Sequence, residues 1–211
     1  MKVVEIFKSI DGEGIRVGYP VTFIRLAGCN LRCNYCDTRY SYENEKFTEM
    51  TPQEIYKEVY KLGGKRITLT GGEPLIHKDV KVLVDLLIQK GYEVNIETNG
   101  SVDITLFLDK HIIITMDYKC AGSGMEDKML LDNISKLRKQ DVLKFVVSDT
   151  NDLNTVQRIY LNTKATVYIS PVFGRIEPKQ IVEYMLEHNM ENCRVQIQLH
   201  KIIWNPEERG V

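Results

Sequence analysis

Short runs of mostly apolar, often β-branched residues recur along the chain and predict strands. The six strongest runs occupy residues 21–26, 66–70, 92–98, 112–117, 142–147 and 166–170. Apolar residues fill these runs almost without a break, which is typical of strands that are buried on both faces in a parallel sheet. Two further runs, at residues 3–9 and 194–199, are predicted to extend the edges of that sheet.

Helical patterns lie between the predicted strands. The segment from Thr51 to Glu54 combines a capping box with proline at the first helical position. A second apolar stripe with helical spacing starts at Val80, and further helices are predicted at residues 127–139, 152–162 and 177–188. This alternation predicts a single-domain α/β fold. For 211 residues, an incomplete (β/α) barrel with about six parallel strands fits better than a full eight-unit barrel of ~250 residues.

The composition narrows the class of protein and of partner. Apolar residues make up 43% and charged residues 27% of the chain, as in ordinary globular domains. The formal net charge is −1 and the basic residues are scattered, so the basic surface of a nucleic-acid-binding protein is not expected. The sequence also lacks an apolar run of the ~20 residues that span a membrane, and an N-terminal export signal. We therefore expect a cytoplasmic protein that acts on a small molecule.

The cysteines point to a metal centre. There are five, and an odd number argues against a disulfide framework. Cys29, Cys33 and Cys36 have the spacing C-x3-C-x2-C directly after the first strong strand, whereas Cys120 and Cys193 are predicted to be ordinary buried thiols. Thiolates are soft ligands that suit iron–sulfur clusters and zinc. A cubane cluster normally takes four cysteines, so three would leave one iron open to an external ligand. The alternative is a zinc site completed by a histidine.

Two motifs together resemble the radical S-adenosylmethionine superfamily. Tyr35 is the aromatic residue that precedes the third cysteine in that signature, and the segment Thr70-Gly71-Gly72-Glu73-Pro74 resembles its GGEP motif. The resemblance implies a 4Fe-4S cluster on the three cysteines and S-adenosyl-L-methionine as cofactor. It also implies an external electron donor of the flavodoxin or ferredoxin type. By the same resemblance, one electron would cleave the cofactor, and the adenosyl radical would take a hydrogen atom from the substrate.

Further segments resemble the 7-carboxy-7-deazaguanine synthase family. Residues 9–14, 23–29 and 36–38 are similar to its S-x-Q-G-E-G, F-x-R-x-x-G-C and C-D-T segments, with Asp11 in place of the usual glutamine. Residues 198–204 are similar to its late Q-x-H-K-x-x-W segment. The resemblance implies a magnesium-dependent lyase of 7-deazapurine and queuosine biosynthesis. Such an enzyme converts 6-carboxy-5,6,7,8-tetrahydropterin to 7-carboxy-7-deazaguanine, with ring contraction and loss of ammonia.

The same resemblance implies a set of substrate and magnesium ligands. Glu13 would accept hydrogen bonds from the pterin, with a solvated loop acid as the alternative. The fork of Arg25 would bind the substrate carboxylate, with an ion pair at the edge of the core as the alternative. Thr38 would offer a hydroxyl oxygen to Mg2+, although a turn cap is the alternative. Residues 201–211 are expected to form a tail over the site. The full set of implied substrate contacts is Ile10, Asp11, Gly12, Glu13, Arg25, Thr70, His200 and Val211.

Implied cofactor contacts come from the ends of several predicted strands. They are Tyr35, Asp37, Gly72, Glu73, Asp117, Tyr118, Lys119, Ser170, Pro171, Val172 and Phe173. The segment 97–100 is either a further lining element or a tight turn. Two alternatives to the synthase stay open, namely an activase that forms a glycyl radical on a partner protein, and a non-catalytic zinc module. A homodimer is a further expectation, because small enzymes commonly form one.

Overall fold

A computed structural model describes residues 1–43, 46–206 and 208–211. In these ranges the chain forms one nine-stranded mixed sheet in the order β3-β1-β2-β4-β5-β6-β7-β8-β9. The strands are β1 Lys2–Ile10, β2 Pro20–Leu26, β3 Thr48–Glu49, β4 Arg66–Gly71, β5 Glu93–Thr98, β6 Ile113–Tyr118, β7 Val142–Val147, β8 Thr166–Pro171 and β9 Cys193–Val195.

Six α-helices accompany the sheet in the described part of the chain. They are α1 Pro52–Leu62, α2 Val80–Gln89, α3 Asp132–Lys136, α4 Thr150–Ile159, α5 Pro178–Glu187 and α6 His200–Ile203. The capping box that was predicted before α1 is present: Thr51 N donates to Glu54 Oε2 at 2.8 Å, and Glu54 N donates to Thr51 Oγ1 at 3.3 Å. Among the described residues no helix is both long and apolar enough to cross a membrane.

Seven strands, β2 and β4 to β9, run parallel, whereas β1 and β3 are added antiparallel at one edge. The sheet curls until its two ends meet. Gly14 N donates to Gln196 Oε1 at 2.7 Å, and Leu199 N donates to Gly12 O at 3.0 Å. The loop after β1 thereby closes the gap beside β9. The predicted incomplete barrel is confirmed, and the core lies between the sheet and helices α1 to α5.

The sequence-based boundaries were wrong in three places. The last strand ends at Val195, not at residue 199, because the following Gln196 turns to bond Gly14, and His200 therefore begins a helix instead of ending a strand. The helix predicted at 127–139 shortens to α3, because buried Asn133 is bonded to the loop at 100–104. The two-residue strand β3 was not predicted, because no strand-like run of residues marks it in the sequence.

Candidate active site

The loops at the carboxyl ends of the parallel strands surround one cavity, which is where α/β sheets bind ligands. The three cysteines, the first glycines of the GGEP segment and the loop after β1 all contribute to its wall. Most of the predicted site residues line it, namely Ile10, Asp11, Gly12, Glu13, Arg25, Cys29, Cys33, Tyr35, Cys36, Asp37, Thr38, Thr70, Gly72, Asp117, Lys119, Val172, Phe173, His200 and Val211.

The cysteine loop is held by backbone contacts from both sides. Gly28 N donates to Ser41 O at 2.8 Å, and Asn34 N donates to Ser123 O at 2.9 Å. Cys29 Sγ accepts from Asn99 Nδ2 at 3.7 Å. All three cysteines of the loop are partly exposed to the cavity, in contrast to Cys120 and Cys193, which are buried in the core. Three accessible thiols on one short loop are a suitable donor set for an iron–sulfur cluster.

A site for a single metal ion would need several ligands grouped around one point. Within residues 1–43, 46–206 and 208–211, no three His, Cys, Asp or Glu side chains are grouped to hold one metal ion. A cubane cluster does not require such a group, because each cysteine ligates a different iron atom.

The GGEP segment packs directly on the cysteine loop. Gly72 N donates to Leu26 O at 3.1 Å, and Glu73 N donates to Gly28 O at 2.9 Å. A side chain at Gly72 would overlap the Gly28 carbonyl, so only glycine allows this approach. The Glu73 carboxylate is fully buried and accepts from Thr98 Oγ1 at 2.8 Å and from Asn99 N at 2.6 Å. Burial raises the pKa of Glu73 to about 6. Glu73 therefore fixes the loop after β5 and does not itself line the cavity.

Four charged side chains form a network inside the barrel, which we call the interior network: Glu13, Asp117, Lys119 and Lys144. Lys144 Nζ lies 3.1 Å from Glu13 Oε2 and 3.5 Å from Asp117 Oδ2, and Lys119 Nζ lies 2.8 Å from Asp117 Oδ2. Burial alone would raise the pKa of both carboxyls. The neighbouring ammonium groups outweigh burial, and the pKa of Glu13 and of Asp117 is lowered. Both acids are therefore ionised at neutral pH.

Each acid of the interior network has one carboxylate oxygen that the two lysines do not contact. Glu13 Oε1 and Asp117 Oδ1 are buried without a hydrogen-bond partner among the described residues, as is Ser170 Oγ at the end of β8. Buried acceptors are normally paired, so such atoms mark places where a ligand is expected. Asp117 and Ser170 stand near the strand ends to which the resemblance assigns cofactor binding, and Asp117, which lines the cavity, offers an acceptor oxygen that fits a polar cofactor.

Asp11 has a different environment at the closed end of the barrel. Its Oδ2 accepts from Arg16 Nε at 2.9 Å, and its Oδ1 accepts from Thr68 Oγ1 at 2.7 Å. Arg16 also donates to the backbone carbonyl of Ile67 at 2.9 Å. Burial raises the pKa of Asp11 to about 6 against the opposing effect of Arg16. We call Asp11, Arg16 and Thr68 the floor cluster. Both Asp11 oxygens are already occupied within it.

Arg25, Asp37, Thr38, His200 and Lys201 line one side of the cavity, which we call the outer wall. Arg25 Nε donates to Glu5 Oε1 at 2.7 Å, while the Thr38 hydroxyl donates to Asp37 Oδ1 at 3.0 Å and caps no helix. Lys201 Nζ donates to Asp37 Oδ2 at 2.9 Å and ties α6 to the cysteine loop. Burial raises the pKa of Asp37, but Lys201 and the Thr38 hydroxyl outweigh it, so that the pKa is lowered to about 2.

His200 and the chain end complete that wall. The His200 ring rests on the backbone of Gly12, where a side chain would overlap it. Burial lowers the pKa of this imidazole, which favours its neutral form. The Arg209 guanidinium lies 4.0 Å from the centre of the Tyr40 ring, and Val211 reaches the cavity.

Four predicted cofactor residues do not line the cavity: Glu73, Tyr118, Ser170 and Pro171. The Tyr118 side chain points into the core, where its ring centre lies 5.3 Å from that of Phe145. Conversely, Lys144 and Gln198 line the cavity although no role was predicted for their side chains, and Glu97 lines it as one of the two interpretations of the segment 97–100 expected. Lys144 was detectable, because it is the single charge in an otherwise apolar strand sequence, VLKFVV.

Comparison with known proteins agrees with this arrangement. The family model of the radical SAM superfamily matches residues 23–118. Over the whole chain, the 7-carboxy-7-deazaguanine synthase of Clostridium acetobutylicum is 48% identical and is covered to 99% of its length. The synthase of Methanospirillum hungatei is 42% identical, with 98% of this chain and 86% of the relative covered.

A solved structure shares the fold. The crystal structure of QueE from Escherichia coli superposes with a TM-score of 0.78 at 22% identity and covers 94% of each chain. The cysteine loop, the glycine-rich turn packed on it and the full-length identity to these synthases lead to one assignment. The chain belongs to the 7-carboxy-7-deazaguanine synthase family of the radical S-adenosylmethionine superfamily.

Proposed function

We propose that this protein converts 6-carboxy-5,6,7,8-tetrahydropterin to 7-carboxy-7-deazaguanine and ammonia. The single observation that supports this most is Glu13, an ionised carboxylate that lines the same cavity as the three cysteines and has one oxygen without a partner among the described residues. The amino and ring N–H groups of a pterin are donors that such an oxygen would accept. Family membership favours this activity over a glycyl-radical activase and over a zinc module.

The cysteines and the cofactor supply the radical chemistry. A 4Fe-4S cluster on Cys29, Cys33 and Cys36, with S-adenosyl-L-methionine bound beside it, would supply an adenosyl radical once an external donor provides an electron. The protein holds the reacting partners in place and excludes water. The backbone of Gly72 and the carboxylate of Asp117 are the groups proposed to hold the cofactor.

The substrate is proposed to lie between the interior network and the outer wall. Its guanidine-like edge would contact Glu13, and its carboxylate would lie towards Arg25, whose guanidinium forms a fork suited to carboxylates. Neutral His200 would contribute a hydrogen bond from the opposite side. Val211 lines the same cavity, and residues 201–211 would thereby form part of the substrate site.

Magnesium binding is proposed at the outer wall. Thr38 offers a hydroxyl oxygen there, and Asp37, Lys201 and the substrate carboxylate would share the same region. Mg2+ retains several waters and needs few protein ligands, which suits a single hydroxyl. A homodimer and a flavodoxin- or ferredoxin-type donor complete the proposal for partners.

The test is anaerobic incubation of reconstituted protein with cofactor, a chemical reductant, Mg2+ and the carboxytetrahydropterin. A new product with the mass and absorbance of the carboxydeazaguanine is expected in the wild type. The Cys33→Ala variant should hold no intact cluster and form no product, while Cys193→Ala serves as the matched control with both retained. Cofactor cleavage without a deazapurine product would contradict the proposed substrate.

A further inference from the structure

Lys144 occupies a position in β7 that an apolar residue would ordinarily take. All six residues of β7 are buried, and side chains alternate between the two faces of a strand. Leu143, Phe145 and Val147 enter the core on one face, whereas Lys144 and Val146 line the cavity on the other. Lysine is almost never fully buried unless it is paired, so its two carboxylate partners need an explanation.

The ammonium of Lys144 joins two parts of the site that come from distant segments of the chain. Glu13 lies in the loop after β1 on the proposed substrate side, while Asp117 is the last residue but one of β6, on the proposed cofactor side. Lys144 Nζ is the cation next to both, at 3.1 Å from Glu13 Oε2 and 3.5 Å from Asp117 Oδ2. It attracts one oxygen of each acid and leaves the other oxygen unpaired.

A purely structural ion pair would use its acceptors fully, because a buried unpaired oxygen is unfavourable. The floor cluster does so: both oxygens of Asp11 have donors. The interior network instead holds two buried oxygens that have no hydrogen-bond partner among the described residues. That difference indicates a network arranged for ligands and not for stability alone.

On these grounds, and resting on the proposed function, we infer that Lys144 is a positioning residue for both ligands. It keeps Glu13 ionised and oriented so that Oε1 faces the pterin, and it links Glu13 to Asp117 so that the substrate and cofactor sides are set relative to each other. Lys144 itself does not have to contact either ligand.

The contacts predict an unequal effect of removing the ammonium. Without Lys144, the hydrogen-bond donor left to Glu13 among the described residues is the neutral amide of Gln198, whose Nε2 lies 3.3 Å from Oε2. Asp117 keeps Lys119 at 2.8 Å. The Lys144→Met variant should therefore lose substrate affinity much more than cofactor affinity. Lys119→Met, which removes the closer partner of Asp117 alone, should show the reverse order.

The experiment is anaerobic calorimetric titration of cluster-loaded protein, without reductant so that no turnover occurs. The probes are S-adenosylmethionine and the carboxytetrahydropterin. Lys144→Met should weaken pterin binding roughly ten- to hundredfold, the range for a charged hydrogen bond, and change cofactor binding by a much smaller factor. Lys119→Met, with cofactor binding affected more, is the matched control.

A double variant keeps the test decisive if Lys144→Met alone fails to fold. Glu13→Gln with Lys144→Met removes one charge of each sign and leaves Asp117 paired with Lys119. Because Lys144 is inferred to act through Glu13, the double variant should bind pterin as weakly as Glu13→Gln alone. A further tenfold loss in the double variant, or wild-type pterin affinity in Lys144→Met, would overturn the inference. Wild-type protein that binds no pterin would instead contradict the proposed function.

Discussion

Two carboxylates that are separated by one residue in the sequence have opposite surroundings in the barrel. Asp11 belongs to the floor cluster, where Arg16 and Thr68 occupy both of its oxygens. Glu13 belongs to the interior network, where Oε2 contacts Lys144 and Oε1 has no hydrogen-bond partner within the described ranges. Burial raises the pKa of Asp11 to about 6, whereas Lys144 lowers that of Glu13.

The comparison separates a structural acid from a functional one without reference to relatives. A satisfied buried ion pair contributes to the packing of its region, and its loss is felt as instability. An ionised acid with a free buried oxygen is incomplete until a ligand supplies a donor. Asp11 stands where the family usually has glutamine, and its oxygens are taken by the floor cluster. We therefore expect Asp11 to shape the end of the cavity and Glu13 to bind.

Removal of Arg16 should produce the largest change in stability. In Arg16→Met the Asp11 carboxylate stays buried without its cation, and breaking such a pair costs about 3–5 kcal/mol. The midpoint of denaturant unfolding should fall, while the folded fraction should turn over substrate at nearly the wild-type rate. The double change Asp11→Asn with Arg16→Met is the control and should recover part of the loss. Unchanged stability in Arg16→Met would show that the floor cluster is not a structural unit.

The pH dependence of stability should have opposite signs for the two acids. Asp11 has a raised folded pKa, so its contribution is full below pH 4 and is lost as pH rises through about 6. One pKa unit is worth about 1.4 kcal/mol, which makes this contribution roughly 3 kcal/mol. Glu13 has a lowered pKa, so its contribution is present above pH 4.5 and is lost as pH falls through the folded value.

Free energies of unfolding measured from pH 3 to pH 7 check these signs. The difference between wild type and Asp11→Asn should shrink with rising pH, and the difference between wild type and Glu13→Gln should grow. If the two differences in unfolding free energy changed in the same direction with pH, the distinction between the floor cluster and the interior network would be contradicted.

Thr68→Val should give an intermediate loss. The Thr68 hydroxyl donates to Asp11 Oδ1 and accepts from Arg16 Nη2 at 2.6 Å. Valine keeps the shape but leaves both partners with an unmet hydrogen bond, which costs about 1–3 kcal/mol. Thermal unfolding measures the effect, with Thr22→Val as a matched control on β2, where the hydroxyl makes one long contact of 3.5 Å. Equal losses in the two variants would argue against a special role for Thr68.

Gln198→Ala should have the smallest effect, and it should fall on substrate affinity. Its amide reaches the same Glu13 oxygen that Lys144 contacts, at 3.3 Å, so Glu13 remains ionised without it. A hydrogen bond of this kind is worth about 0.5–1.5 kcal/mol, which predicts a few-fold rise in KM with kcat unchanged. A loss as large as that of Glu13→Gln would place the amide, not the carboxylate, in contact with the substrate.

Local patterns in the sequence were sufficient for most of the fold. The six central strands and the helix after Thr51 follow from runs and caps whose meaning is local. The structure of residues 194–199 depends instead on a hydrogen bond between Gln196 and Gly14, two residues that are far apart in the chain. Such a contact has no local signal, and for the same reason His200 was expected at the end of a strand.

The candidate site was predictable to the extent that motifs mark it. The cysteine loop and the GGEP turn carry their own signatures, and the resemblance supplied Glu13 and Arg25. It could not distinguish Asp11 from Glu13, because the partners Arg16 and Thr68 become visible only when β4 lies beside the loop after β1. Lys144 was visible as a charge within an apolar strand, but its meaning depended on two acids from other elements.

Product formation by two variants tests the central claim most directly. Asp11→Asn and Glu13→Gln each replace a carboxylate by the corresponding amide. Both variants are assayed anaerobically with cofactor, reductant, Mg2+ and the carboxytetrahydropterin. We expect Asp11→Asn to retain most of the wild-type kcat/KM. For Glu13→Gln we expect a loss of roughly a hundredfold, since a charged hydrogen bond to the substrate is worth up to about 3 kcal/mol. Equal activity of the two variants, or a greater loss in Asp11→Asn, would contradict the assignment of Glu13 to the substrate and Asp11 to the floor.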